Sequence, residues 1–137
     1  MPRIVAIDFG KKRTGLAVTD PLQIIATGLT TVATPEVLKF LKEYTSKEEV
    51  SLFLVGDPKN WDETDTDATP LVANFLPKLR RHFPNIPVQT ADERYTSKMA
   101  QQAMIDMGLK KKQRREKGLV DEIAATILLQ EYLQSRG

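Results

Sequence analysis

A mixed five-stranded sheet with helices on both faces is the α/β fold class that this sequence predicts, and three observations predict it. Two short apolar runs, "RIVAIDF" at 3–9 and "TGLAVT" at 14–19, are joined by a turn containing Gly10 and lysines, which reads as a hairpin. "VSLFLVG", 50–56, is a continuous apolar run of strand length bounded by turn signals, the pattern of a central strand covered on both faces. From there strands and helices alternate, and a hairpin meander followed by such alternation implies a mixed sheet.

The elements follow in order. After the hairpin a third strand is predicted near 23–32. Thr34 is placed to cap a helix with Pro35 at its first position, and Val37, Leu38, Leu41 and Tyr44 recur at helical spacing behind it. Gly56-Asp57-Pro58 ends the central strand, and the acidic segment 59–69, "KNWDETDTDAT", reads as a loop. Pro70, Leu71, Val72, Phe75, Leu76 and Leu79 mark a second helix, and "IPVQTADE" a fifth strand ending in acids. Thr96 or Ser97 caps a helix carrying Met99, Ala100, Ala103, Met104 and Met107, closed by Gly108, and a last helix runs over 119–135. The methionines at helical spacing read as core packing.

A chain of 137 residues is read as one domain, 1–137, large enough to bury a core without staples. With no cysteine and a single His82, the usual structural zinc sites lack a ligand set, so any metal is a hard, oxygen-bound ion. No stretch approaches the roughly 20 apolar residues of a membrane span, and the reading is cytoplasmic, without membrane partners. Twenty basic and 18 acidic residues leave a net charge of +2, so a polyanion would have to be met by local clustering.

The carboxylates carry the chemistry. Asp8 interrupts the first strand near its C-terminal end, on the face of Ile4 and Ala6, where a buried acid must be paired, neutralised or bound to a cation. Asp92-Glu93 ends another strand, and open sheets place ligands beyond such ends. Asp121 shares a stripe of the last helix with Ala124, Ala125 and Leu128, and the small alanines allow that helix close to the sheet. Each acid alone has a plainer role: Asp8 as a turn cap or a partner of Arg13, Glu93 as a partner of Arg94 or a solvated acid, Asp121 and Glu122 as acids favoured by a helix N-terminus. Together, with no His or Cys beside them, they are the ligand type that Mg²⁺ or Mn²⁺ prefers. Asp57, after the central strand, is a further candidate of lower weight.

"DFGKKRTGLAVTD", "VGDP", "DERYTS" and "DEIAATILL" together resemble the YqgF/RuvX family, in that family's order and over nearly the whole chain. The resemblance implies a ribonuclease H-like fold and a nuclease, described for the family as a Holliday junction resolvase or a pre-16S ribosomal RNA nuclease. It carries the family's catalytic acids, which are also the implied ligands of two Mg²⁺ or Mn²⁺ ions, onto Asp8, Glu93 and Asp121. The acidic "KNWDETDT" departs from the short Gly-containing turn usual after the family's central-strand motif.

In this light Asp8 holds metal at the sheet, Gly10 lets the backbone turn closely past it, and Lys11, Lys12 and Arg13 meet phosphate, the lysines having a solvated turn as their plainer role. Arg13 and Arg94 are read as clamps for phosphate or carboxylate, because a guanidinium is bidentate. "KKKQRREKG", 110–118, adds Lys110, Lys111, Lys112, Arg114 and Arg115 as nucleic-acid contacts just before the last helix. Trp61 and Tyr95 are candidates for base stacking, and His82, beside Arg80 and Arg81, reads as a surface residue. The expected activity is processing of the 5′ end of pre-16S ribosomal RNA by a monomer or homodimer. Its alternatives are resolution of branched DNA junctions and a nucleic-acid-binding module without catalysis. A sugar-kinase or actin-like phosphotransferase, which shares an Asp-x-Gly strand end, needs two such domains.

Overall fold

The computed structural model describes residues 2–57, 69–92, 102 and 117–136. Five strands, β1 (Arg3–Phe9), β2 (Arg13–Thr19), β3 (Ala26–Ala33), β4 (Val50–Asp57) and β5 (Val88–Asp92), form one sheet in the order β3-β2-β1-β4-β5. The meander β1-β2-β3 is antiparallel, whereas β4 and β5 run parallel to β1. The C-terminal ends of β1, β4 and β5 therefore share one edge. A 3₁₀ turn, Thr34–Glu36, and helices α1 (Val37–Lys47), α2 (Thr69–His82) and α3 (Lys117–Arg136) accompany the sheet. Of the helix read over 96–108 only Gln102 is described, and it is helical; the rest lies outside the described residues.

Strand alternation divides the sheet into two unlike faces. Val5 and Ile7 of β1, Leu16 and Val18 of β2 and Phe53 and Val55 of β4 point to one side, where Val37 and Leu41 of α1 and Val72, Phe75 and Leu79 of α2 cover them. Large side chains fill this layer, including a T-shaped Phe53–Phe83 pair with ring centroids 5.1 Å apart. Ile4, Ala6, Ala17 and Leu54 point to the other side, against Ala125, Leu128 and Leu129 of α3. Alanines on both partners bring α3 close to β2 and β3. The long apolar run of β4 is explained by this double coverage.

Two local details differ from the sequence reading. The third strand begins at Ala26, because Asp20 folds residues 20–25 into a turn: its carboxylate accepts the backbone N–H groups of Leu22, Ile24 and Ile25 at 3.1, 2.8 and 2.7 Å. Those bonds, that from Ile25 first, hold the Asp20 carboxyl below its ordinary pKa. Gln23, at φ 58°, ties the turn down through Nε2 to the Pro2 carbonyl and Ser51 Oγ. The apolar Ile24 and Ile25, strand-like in sequence, are therefore exposed turn residues. Thr34 does not cap α1; it opens a 3₁₀ turn, Thr34–Glu36, and its hydroxyl donates to the Gly10 carbonyl at 2.6 Å and lies 2.9 Å from Thr14 Oγ1. It stitches the β1–β2 turn instead.

Buried polar groups in the hairpin are satisfied internally, as burial requires. Thr19, 1% exposed, accepts the Ile4 N–H at Oγ1 over 2.9 Å. Thr19→Val keeps the shape and removes this acceptor, so it is expected to lower unfolding free energy by about 1–3 kcal/mol, read as a shifted urea midpoint at constant m-value. An unchanged midpoint would show that the hydroxyl contributes nothing to the hairpin.

Candidate active site

Asp8 stands on the α3 face of β1, one residue from the strand's end, and is half-buried. Its cross-strand partner is Gly15. A β-carbon on Gly15 would run into the backbone carbonyl of Asp121, so the start of α3 rests directly on the sheet beside Asp8. Directly opposed positions of an antiparallel pair hold their β-carbons about 5 Å apart, which puts the Asp121 backbone about one side-chain length from the Asp8 carboxylate's strand position. On the other side of β1, β4 continues past the Ile7–Val55 pair into Gly56. Residues without side chains flank Asp8 across the sheet in both directions.

Arg13 shares the face of Gly15 and Ala17 on β2. Its Nε donates to Asp121 Oδ2 at 3.2 Å, an ion pair spanning 108 residues, with side-chain exposures of 39% and 27%. At that exposure the pair contributes under about 1 kcal/mol to stability, so its consequence is positional: it turns the Asp121 carboxylate toward the sheet. Arg13 is thus a carboxylate clamp, one of the two roles read for it. The close approach at Gly10 is to the Arg13 carbonyl, which a β-carbon there would meet, and so closes the β1–β2 turn on itself. Lys11 and Lys12 are exposed in the turn, held in place by the Thr34 N–H to Lys12 carbonyl bond at 3.0 Å.

Glu122 takes a different direction from Asp121. Its carboxylate fills the space above Gly28 on β3, two strands away from β1, and so does not converge with Asp8. Asp57 and Asp92 are paired positions at the ends of β4 and β5, which puts two more acids of the sequence at the same sheet edge as Asp8. Among the described residues no three acids or histidines form a complete metal cluster. Glu93, Arg94, Lys110, Lys111, Lys112, Arg114, Arg115, Trp61 and Tyr95 lie outside the described residues.

The donor set fits a hard divalent cation. Asp8 and Asp121 offer carboxylate oxygens, no thiol or imidazole stands with them, and the space a β-carbon would take at Gly15 is what lets the Asp121 backbone sit against the strand position opposite Asp8. Gly15 is the functional position that the sequence patterns above do not single out, although a glycine inside a strand is the signal for a close backbone approach.

Solved structures define the class. The chain matches Thermus thermophilus RuvC in complex with a Holliday junction substrate with a TM-score of 0.58 at 16% identity, over 99% of this chain and 96% of that one. The fowlpox virus Holliday junction resolvase matches with a TM-score of 0.55 at 14% identity, over 97% of this chain and 99% of that one. The fold is ribonuclease H-like, a mixed five-stranded sheet with helices on both faces. Within it the chain belongs to the RuvX family, whose model, described as Holliday junction resolvase, matches residues 2–135. Similar chains in Flavobacterium psychrophilum (53% identical, covering 97% of each chain) and Christiangramia forsetii (56% identical, covering 97% of this chain and 98% of that one) carry the name "Putative pre-16S rRNA nuclease".

Gly15→Ala tests the architecture of the site. The added methyl must displace the start of α3, so the variant is expected to lose about 1–3 kcal/mol of stability and to shift the amide resonances of Asp8 and Asp121 together. Unchanged resonances at both positions would contradict the close approach.

Proposed function

We propose that this chain is a metal-dependent nuclease that hydrolyses phosphodiester bonds in structured nucleic acid, with the 5′ end of pre-16S ribosomal RNA as its substrate. The observation that carries the reading is the convergence of Asp8 and Asp121 on Gly15 at the C-terminal edge of the parallel strands. The names of relatives about half identical over nearly the whole chain support the substrate. Asp8 and Asp121 would hold the ions, Mg²⁺ or Mn²⁺, with Glu93 as the third carboxylate. Divalent ions bound there supply an activated water and neutralise charge on the phosphoryl group.

The protein's own residues have defined parts in this scheme. Asp8, anchored on β1, would hold a cation at a fixed place, against which the reacting phosphate would be positioned. Asp121 arrives from α3, and Arg13 fixes its carboxylate while the partly exposed guanidinium faces solvent where phosphate would approach. Lys11 and Lys12 add positive charge at the rim. A second reading, resolution of four-way DNA junctions, is favoured by the family model's description and by the junction-bound RuvC of the same fold. That role needs two active sites for paired cuts, hence a dimer on the junction.

Asp8→Asn keeps the side chain's shape and removes its charge. Single-turnover cleavage of pre-16S RNA in Mn²⁺ is expected to fall about a thousandfold, equivalent to ~4 kcal/mol of barrier, with the thermal transition retained. Cleavage at the wild-type rate by the folded variant would end the metal-nuclease reading. Cleavage of a four-way DNA junction and not of the RNA would replace the first substrate by the second.

A further inference from the structure

On the side of the sheet away from Asp8, a groove of about 240 Å³ lies between the β1–β2 turn and α2. Phe9, Gly10 and Lys11 form one wall, and Asn74, Phe75 and Lys78 the other. We propose that this groove takes one nucleotide of a single-stranded segment of the nucleic acid, carrying its phosphate between Lys11 and Lys78. The proposal rests on the nuclease reading and extends it to Lys78 and the aromatic floor, which no sequence motif assigns.

Four observations converge here. Among the described residues the lining includes two ammonium groups and no carboxylate, so this part of it suits an anion. Phe9 stacks on Phe75 with ring centroids 4.2 Å apart and an interplanar angle of 17°, and Phe9 is only half-buried, which gives the groove an apolar floor against which a base or ribose can pack. The rim is held in shape, because Thr34, also part of the lining, bonds the Gly10 carbonyl through Oγ1 and the Lys12 carbonyl through its N–H. Lastly, Phe9 follows Asp8 directly, so the groove and the acid project from neighbouring Cα atoms about 3.8 Å apart to opposite faces of one strand end. A strand held at Asp8 can bend over the end of β1 into the groove.

The exposed face of α2 continues the same charge. Asn74, Lys78 and Arg81 follow at i, i+4 and i+7 and are all exposed, a stripe leading away from the β1–β2 turn. In sequence Lys78 and Asn74 carry no signal, because a lysine on an outer helix face reads as ordinary solvation. Only the fold shows that Lys78 lines the same groove as Lys11, over an aromatic floor.

The test is binding of a fluorescent 20-nucleotide single-stranded RNA, by anisotropy in EDTA at several salt concentrations, so that cleavage plays no part. The double variant Lys11→Ala/Lys78→Ala is expected to bind about tenfold more weakly near physiological salt, with the log–log salt slope reduced by roughly 0.7 for each phosphate no longer neutralised. Lys47→Ala, at the C-terminus of α1 and the opposite edge of the sheet, serves as the control and is expected to match wild type. Equal weakening in the control and the double variant, or none in the double variant, would overturn the groove and leave the nuclease reading standing. Wild-type protein that binds no RNA at low salt but is folded would overturn the RNA reading together with the groove. A photoreactive 4-thiouridine RNA that cross-links to Phe9 or Leu71 supports the assignment; cross-links confined to the α3 face contradict it.

Discussion

Everything at the candidate site depends on one close contact, the seating of the α3 backbone at Asp121 against Gly15 of β2. A side chain at position 15 would hold the helix off the sheet and carry Asp121 away from β1. The contact is a short-range steric fit of the Asp121 backbone carbonyl against Gly15. It is sustained further along by the packing of Ala125, Leu128 and Leu129 against Ile4, Ala6 and Ala17, each fully buried large side chain contributing about 1.5–3 kcal/mol relative to exposure. Hydrophobic burial thus provides the energy that brings a carboxylate from near the end of the chain beside one from its beginning. The Arg13–Asp121 ion pair adds direction more than stability.

The two faces of the sheet divide the work. Small residues on the α3 face allow close approach and leave room around Asp8, while Phe53, Phe75, Phe83 and the branched residues of the opposite face supply bulk for the core. Because β1 alternates, neighbouring residues serve both: Ile7 and Phe9 belong to the bulky layer, Ala6 and Asp8 to the open one. A carboxylate at position 7 would be buried among aromatic and aliphatic side chains. At position 8 it stands at the sheet's edge, where charge can be met by a cation.

Much of this is legible in the sequence because it follows from periodicity. The hairpin, the doubly covered β4 and the apolar stripe of α3 are all visible in the spacing of Val, Ile, Leu and Ala, and Asp8 stands out as a break in that spacing. Contacts between distant segments are not legible. Nothing near Arg13 names Asp121 as its partner, and nothing near Glu122 shows that its carboxylate turns to Gly28 while the adjacent Asp121 does not. Local competition also misleads: Ile24 and Ile25 have the apolar character of a strand, but three hydrogen bonds to Asp20 hold them in a turn. Thr34 has the character of a helix cap, but its hydroxyl is used by Gly10 and Thr14.

The central claim is that Asp8 and Asp121 form one cation site across Gly15. It is tested most directly by titrating isotope-labelled protein with Mn²⁺ and following paramagnetic broadening of backbone amides. Asp8, Gly15 and Asp121 are expected to broaden first and together at substoichiometric metal, while Lys47, at the C-terminus of α1 and the opposite edge of the sheet, persists to higher concentrations. Broadening that begins elsewhere, or none among these residues at millimolar Mn²⁺, would contradict it.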